Sequence, residues 1–389
     1  MSDSIEVKAR EPGPDSAGAE TQTGQISPAE KAPAKPVSAE KPLVYLSSSP
    51  HTGSPVTTQK LMSRVLIALA PVSIFGIVLY GVPALLTILV SIAAAELAEA
   101  LFRKIIRRDL RYKDLSAAVT GLLVALILPP ATPLWITAMG SAFAIIVAKE
   151  FFGGLGANVF NPALVGRAFI ILSFPVAATT WTIPRAFFTP DTSIAAAATG
   201  PIADAISGAT PLGVLTMDGT IADVGAGLAA LGLAPGSDYW STMQSLFLGT
   251  HGGSIGESSI LLILIGFLYL LITRTINWRI PVSMILSVFV FSFLFGADPL
   301  FAILSGGVVF GAVFMATDYV TGPLSSSGKL IFGISAGLIT VLIRLWGNYP
   351  EGVTYGILIM NAVTPFLNRL LQKKYGYVKP PKTETGGAK

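Results

Sequence analysis

The feature that limits this chain most is a series of apolar runs, each near the roughly 20 residues a helix needs to cross the ~30 Å hydrocarbon core of a bilayer. They fall at about residues 64–82, 84–102, 115–130, 133–149 and 161–180, then at 257–273, 280–296, 298–316, 328–346 and 353–370. About ten such runs make the expected fold class an all-α polytopic membrane protein. Only 12% of the residues are charged, about half the share of a soluble domain. The net charge of +4 is small, and the basic residues sit in loops beside the apolar runs. That placement reports topology and not nucleic-acid binding.

The basic loops orient the chain. The run RKIIRRDLRYK, residues 103–113, follows the second segment and belongs in the cytoplasm. Counting outward puts the amino terminus inside and the stretch 181–256 outside. RTINWR after the sixth segment and NRLLQKKYGYVK after the tenth then land inside, so the carboxy-terminal residues 373–389 form a cytoplasmic tail. Residues 1–42, rich in Ala, Pro, Ser, Glu and Lys, read as a disordered cytoplasmic tail. They lack the apolar core of a signal peptide, so the first segment is expected to stay uncleaved. Residues 43–180 form a first five-helix membrane half and 257–372 a second, starting on opposite faces as an inverted repeat requires. Between them, VGAGLAALGLA is too brief to span and reads as a buried or interfacial helix. AVTGLLVALILPPATP and LSGGVVFGAVFMATDY occupy the third segment of each half.

The chain has no cysteine, and its two histidines are His51 and His251. Disulfides, a haem ligand pair, a zinc site and an iron–sulfur cluster held by this chain alone are excluded, and no metal site is expected. Redox chemistry would have to come from an organic cofactor or a neighbouring subunit.

The longest polar interruption contains DAISGATPLG, with Asp204, Ser207, Gly208, Ala209 and Thr210. A polar turn capped by Ser207 or Thr210 is the plain reading. The complete Asp-x-x-Ser-Gly-Ala-Thr string resembles the signal at which a flavin transferase joins FMN to a threonine. Gly208 and Ala209 leave room for such an enzyme, Asp204 could hold the turn or meet the transferase, and Thr210 would accept the phosphoester. Charge counting puts this loop outside the cytoplasm independently of the motif.

Four further stretches carry polar groups at segment ends. In KEFFGGLGANVFNPALVGRAF, residues 149–169, the glycines and Asn158 and Asn161 join the fourth and fifth segments. They suit either close helix packing with Asn161-Pro162 opening a helix or the polar edge of an isoalloxazine ring. Arg167 lies inside the fifth segment, where a charge usually has a partner or a task. In FMATDYVTGPLSSSGK, Thr317 and Asp318 could contact a cation or a flavin, or Asp318 could cap a turn or pair with Lys329. In GTHGGSIGESS, the glycines could bring backbone amides close to a phosphate or flavin, while Glu257 could complement a helix dipole. His251 reads as a loop residue. Glu96 and Glu99, the latter one turn from Arg103, read as an interfacial helix feature.

Taken together, these motifs resemble the D-subunit family of the Rnf complex, the ion-pumping ferredoxin:NAD oxidoreductase, a relative of the B subunit of sodium-pumping NADH:quinone reductase. The resemblance runs from LSSSPHTG to the end of the tenth segment, and SSPHTG favours the Rnf type. It implies a urea-transporter-like pair of five-helix repeats and an extracytoplasmic loop bearing covalent FMN on Thr210. It also implies a second, non-covalent flavin, riboflavin, with Asn158 and Asn161, and less directly Arg167, as candidates for its site. Ser254, Glu257, Thr317 and Asp318 are weaker candidates for flavin or ion contacts. No residue of the chain is expected to complete a catalytic cycle alone. Electrons would be relayed between flavin- and iron–sulfur-bearing Rnf subunits, coupled to Na⁺ or H⁺ movement across a bacterial cytoplasmic (inner) membrane. A flavin transferase would act during maturation. The competing readings are the quinone-reductase subunit and, in another class, a redox-inert channel of the same architecture.

Overall fold

The computed structural model describes residues 57–109, 114–181, 239–249, 251–347 and 352–371, and these are helical, with no strand among them. In chain order the helices are α1 (Thr58–Tyr80), α2 (Val82–Ile105), α3 (Ser116–Leu126) and α4 (Leu134–Ile145), which widens into a π turn (Ile146–Glu150). Then come α5 (Pro162–Ser173), α6 (Pro175–Thr179), α7 (Tyr239–Leu248), α8 (Ile260–Ile272), α9 (Arg279–Leu294) and α10 (Pro299–Leu304). The short α11 (Val308–Phe310) runs into a second π turn (Gly311–Met315), and α12 (Ser326–Trp346) and α13 (Gly352–Leu371) complete the series. The Asp-x-x-Ser-Gly-Ala-Thr string with Asp204, Ser207, Gly208, Ala209 and Thr210, both chain ends and VGAGLAALGLA lie outside the described residues.

Local sequence explains the helix boundaries. The Thr57 hydroxyl caps α1 by accepting from Lys60 N, and Gly81, at φ 72°, separates α1 from α2. Asn161 and Asp298 cap α5 and α10, each followed by a proline at the first helical position, where its missing N–H is harmless. The Ser325 hydroxyl caps α12 by accepting from Gly328 N.

Three helices, α1, α2 and α12, are long and apolar enough to cross a membrane; α3, α5, α8 and α9 are apolar but shorter. Two of the expected continuous segments are broken. The run 161–180 divides at Phe174-Pro175 into α5 and α6, and 298–316 divides at Ser305–Gly307, where Gly306 takes φ 63°.

Such breaks leave backbone groups that a membrane interior cannot hydrate, and partners come from elsewhere in the chain. Beyond α3, the carbonyls of Leu126 and Leu128 accept from Gly256 N (2.7 Å) and Ile255 N (3.2 Å). After α10, the buried guanidinium of Arg344 donates to the carbonyls of Ala302 (2.6 Å) and Ser305 (3.1 Å). The stretch around 254–259, expected at the junction of the outer loop and the sixth segment, is therefore buried among helices.

The helices pack in a recurring order. In the first half α2 packs on α3 and α4, and α4 on α5; in the second α9 packs on α10 and α12, and α12 on α13. Ser91 of α2 donates to Gly121 O on α3 (2.5 Å) and meets Ser141 of α4 (2.7 Å), while Ser287 of α9 donates to Ile334 O on α12 (2.7 Å).

Candidate functional site

The polar residues singled out in the sequence fall into two separate groups. Asn158, Asn161, Thr317 and Asp318 line one cleft of about 720 Å³, its open mouth included, together with Ser116 and Lys149. Arg167, Glu257 and Gly307 line a smaller cavity elsewhere, between α5, α11 and the start of α13. Arg167 thus stands apart from the two asparagines with which the sequence grouped it.

In the cleft the asparagines differ in how their polar atoms are used. Asn161 accepts at Oδ1 from Ala163 N (3.0 Å) and Leu164 N (3.4 Å), and its Nδ2 donates to Met315 O in the second π turn (3.1 Å). It caps α5 and ties it to the facing half. Asn158 Nδ2 donates to Phe160 O (3.2 Å), but its buried Oδ1 has no partner among the described residues. An orphaned acceptor of this kind carries a desolvation cost of ~1–3 kcal/mol, which a ligand N–H would relieve.

A charged cluster adjoins the cleft through Lys149. Lys149, 1% exposed, projects from the π turn and donates to Glu99 Oε2 (2.9 Å) and Ser116 Oγ (2.6 Å). Arg103 Nη2 donates to Glu150 Oε1 (3.1 Å), and Arg103 Nε lies 3.3 Å from Glu99 Oε1, close enough for an ion pair but not aligned for a hydrogen bond. Glu99 and Arg103, expected at the membrane interface, are buried members of this four-charge cluster. The wide turn brings adjacent Lys149 and Glu150 inward together while Phe151 and Phe152 face out; π turns are often found at functional positions. Thr317 Oγ1 donates to Val313 O, and the Asp318 carboxylate accepts from Thr321 Oγ1 (3.1 Å). Burial raises the Asp318 carboxyl above its usual range, opposed by the hydrogen bonds from Val320, Thr321 and Tyr319. No ion pair joins Asp318 to Lys329 among the described residues.

The second group supplies the partner that Arg167 needs. Its Nη1 lies 3.3 Å from Glu257 Oε1, and Glu257 Oε2 accepts from Ser254 Oγ (3.1 Å). Glu257 sits before α8, outside the first turn, so it serves Arg167 and not the helix dipole. A Cβ on Gly307 would overlap this carboxylate, so a larger residue there would have to displace Glu257 from its place beside Arg167. His251 is in a loop, as expected, yet buried: its Nδ1 meets Ser245 O (3.4 Å), and burial lowers its pKa to about 4. No cluster of potential metal ligands occurs among the described residues.

Sequence reading missed Ser116, Lys149 and Arg344. Lys149 opened the quoted Gly-rich run but read as a segment end, and Arg344 carries the same intramembrane-charge signal as Arg167.

Residues 45–376 match the model of the NQR2, RnfD, RnfE family. The chain belongs to that family. It is 42% identical over 347 residues to the D subunit of the proton-translocating ferredoxin:NAD(+) oxidoreductase complex of Clostridium ljungdahlii, covering 87% of this chain and 97% of that protein. It is 39% identical over 337 residues to the D subunit of the Na(+)-translocating ferredoxin:NAD(+) oxidoreductase complex of Acetobacterium woodii, covering 86% and 96%. The D subunit of the ion-translocating oxidoreductase complex of Stutzerimonas stutzeri is 40% identical over 335 residues, covering 82% and 92%.

Proposed function

We propose that this chain is the electron-carrying membrane subunit of an ion-translocating ferredoxin:NAD oxidoreductase complex, working beside flavin- and iron–sulfur-bearing subunits in the bacterial inner membrane. It carries FMN as a phosphoester on Thr210, added by a flavin transferase, and a second, non-covalent flavin, riboflavin, in the cleft of Asn158. The observation that carries the second site is the buried, unpartnered Asn158 Oδ1 in a cleft that Lys149 also lines. An isoalloxazine edge offers an N–H donor and carbonyl acceptors to such groups, and a mostly apolar cleft with a few convergent polar side chains is the usual setting of a cofactor. When bound, the flavins supply reversible one- and two-electron chemistry; Asn158, Lys149 and Ser116 hold and orient the non-covalent one, and Asn161 fixes the cleft geometry.

The chain forms two inverted five-helix repeats with about ten membrane segments and both termini in the cytoplasm; the recurring packing order supports the repeat and the basic loops support the orientation. Electron passage is coupled to Na⁺ or H⁺ movement. The two relatives named for a proton and for Na⁺ stand at 42% and 39% identity, so similarity does not choose between the ions.

In-gel fluorescence of the denatured protein, co-expressed with an active flavin transferase, tests the covalent site. A fluorescent wild-type band lost in Thr210→Val is the expected outcome. A dark wild-type band, with the transferase modifying a control substrate, would overturn it.

A further inference from the structure

The charge cluster beside the cleft is balanced: Lys149 and Arg103 carry the positive charges, Glu99 and Glu150 the negative ones, all buried. Only Lys149 of these four lines the cleft, with Nζ held by Glu99 and Ser116. Ser116 Oγ in turn donates to Asp114 Oδ1 (2.8 Å), and Glu96 is within electrostatic reach of Lys149. Holding a lysine at 1% exposure is expensive unless it is paired, and packing alone would be served as well by apolar residues. A buried charge on a residue that lines the cleft is therefore read as functional.

We infer that Lys149 is a positioning residue that sets the reduction potential of the non-covalent flavin, with Glu99 limiting how much of its charge the cleft feels. The inference rests on the flavin reading of the cleft. A bound flavin accepts two electrons, delivered by a reduced iron–sulfur or flavin centre of a neighbouring subunit that is oxidised in turn, and takes up one proton from solvent. It thereby gains one negative charge. A desolvated ammonium on the wall favours that charge, because screening by water and salt is weak there. Removing the Lys149 charge leaves the cluster one unit negative, and removing the Glu99 charge leaves it one unit positive. The two changes act on the potential in opposite directions.

The test uses the purified full chain, free of the neighbouring subunits and their flavins and clusters, with Thr210→Val removing the covalent flavin so that the remaining absorbance belongs to the cleft. Spectroelectrochemical titration of Lys149→Met should show reduced flavin disfavoured about tenfold relative to oxidised, a fall of about 30 mV for a two-electron couple. Glu99→Gln should move the midpoint upward by a similar factor, and Lys149→Arg should leave it near wild type. Retained flavin whose midpoint is unmoved, or moves the same way in Lys149→Met and Glu99→Gln, overturns the inference while the cleft reading stands. If Lys149→Met does not fold, an unmoved midpoint in Glu99→Gln overturns it equally. Absence of flavin from the purified Thr210→Val chain removes the cleft reading and the inference with it.

Discussion

Asn158 and Asn161 stand three residues apart and serve different ends. Asn161 spends its amide on the α5 cap and on Met315 O, so Asn161→Ala should destabilise the helical body by ~1–2 kcal/mol, read as a lower melting temperature in detergent. Asn158→Ala removes the unpartnered Oδ1 and one local donation to Phe160 O; it should lower the melting temperature less than Asn161→Ala and lower the non-covalent flavin content several-fold after gel filtration. The Arg167–Glu257 pair invites a double-mutant cycle. Glu257→Gln or Arg167→Met alone should cost ~3–5 kcal/mol by stranding a buried charge, and the double variant should recover much of it. His251 gives a pH signature. Its folded pKa of about 4 lies below the ordinary 6.5, so the unfolded chain binds a proton in this window and the folded chain does not. Stability is complete above pH 6.5 and falls as pH drops towards 4, by on the order of 3 kcal/mol. His251→Gln should flatten the melting temperature across that window.

At the scale of elements, close helix crossings in each half depend on small residues. A Cβ on Gly121 of α3 would lie 2.8 Å from Ser91 O and Ile92 Cα of α2, and one on Gly337 of α12 would lie 2.8 Å from Met284 O of α9. The obstructing atoms are largely backbone, which cannot rotate away. Gly121→Ala and Gly337→Ala should each destabilise by ~1–3 kcal/mol, measured by thermal unfolding. The broken elements show a second logic. A helix interruption inside a membrane protein is tolerated only where its carbonyls find donors. Gly256 N and Ile255 N supply them beyond α3, and Arg344 supplies them after α10.

At the scale of the whole molecule, orientation can be tested without background labelling, since the chain has no cysteine. Arg108 and Arg274 are exposed and follow α2 and α8. Arg108→Cys and Arg274→Cys should both react with an impermeant maleimide in inside-out vesicles and resist it in intact cells; labelling on opposite sides would overturn the inverted-repeat topology.

How much of this was legible without coordinates depended on the range of the interaction. The apolar runs announced the helices, because hydrophobic length is a local property. Asn161-Pro162 announced the start of α5, because a cap acts over three residues. The missing cysteines excluded disulfides and thiolate-held metal centres by composition alone. The pairing of Arg167 with Glu257, 90 positions away, was beyond any local rule. So were the separation of Arg167 from the asparagines, the inward turn of Lys149, and the sealing of α3 by Gly256. Sequence by itself determined where the long apolar helical runs lie and which residue types are available for chemistry, but not the breaks within two of those runs or helix α7 inside the stretch read as a loop. Tertiary structure decided which buried charges neutralise one another and which polar atom is left for a ligand, because satisfying a desolvated group depends on neighbours that only the packed helices bring within hydrogen-bond distance.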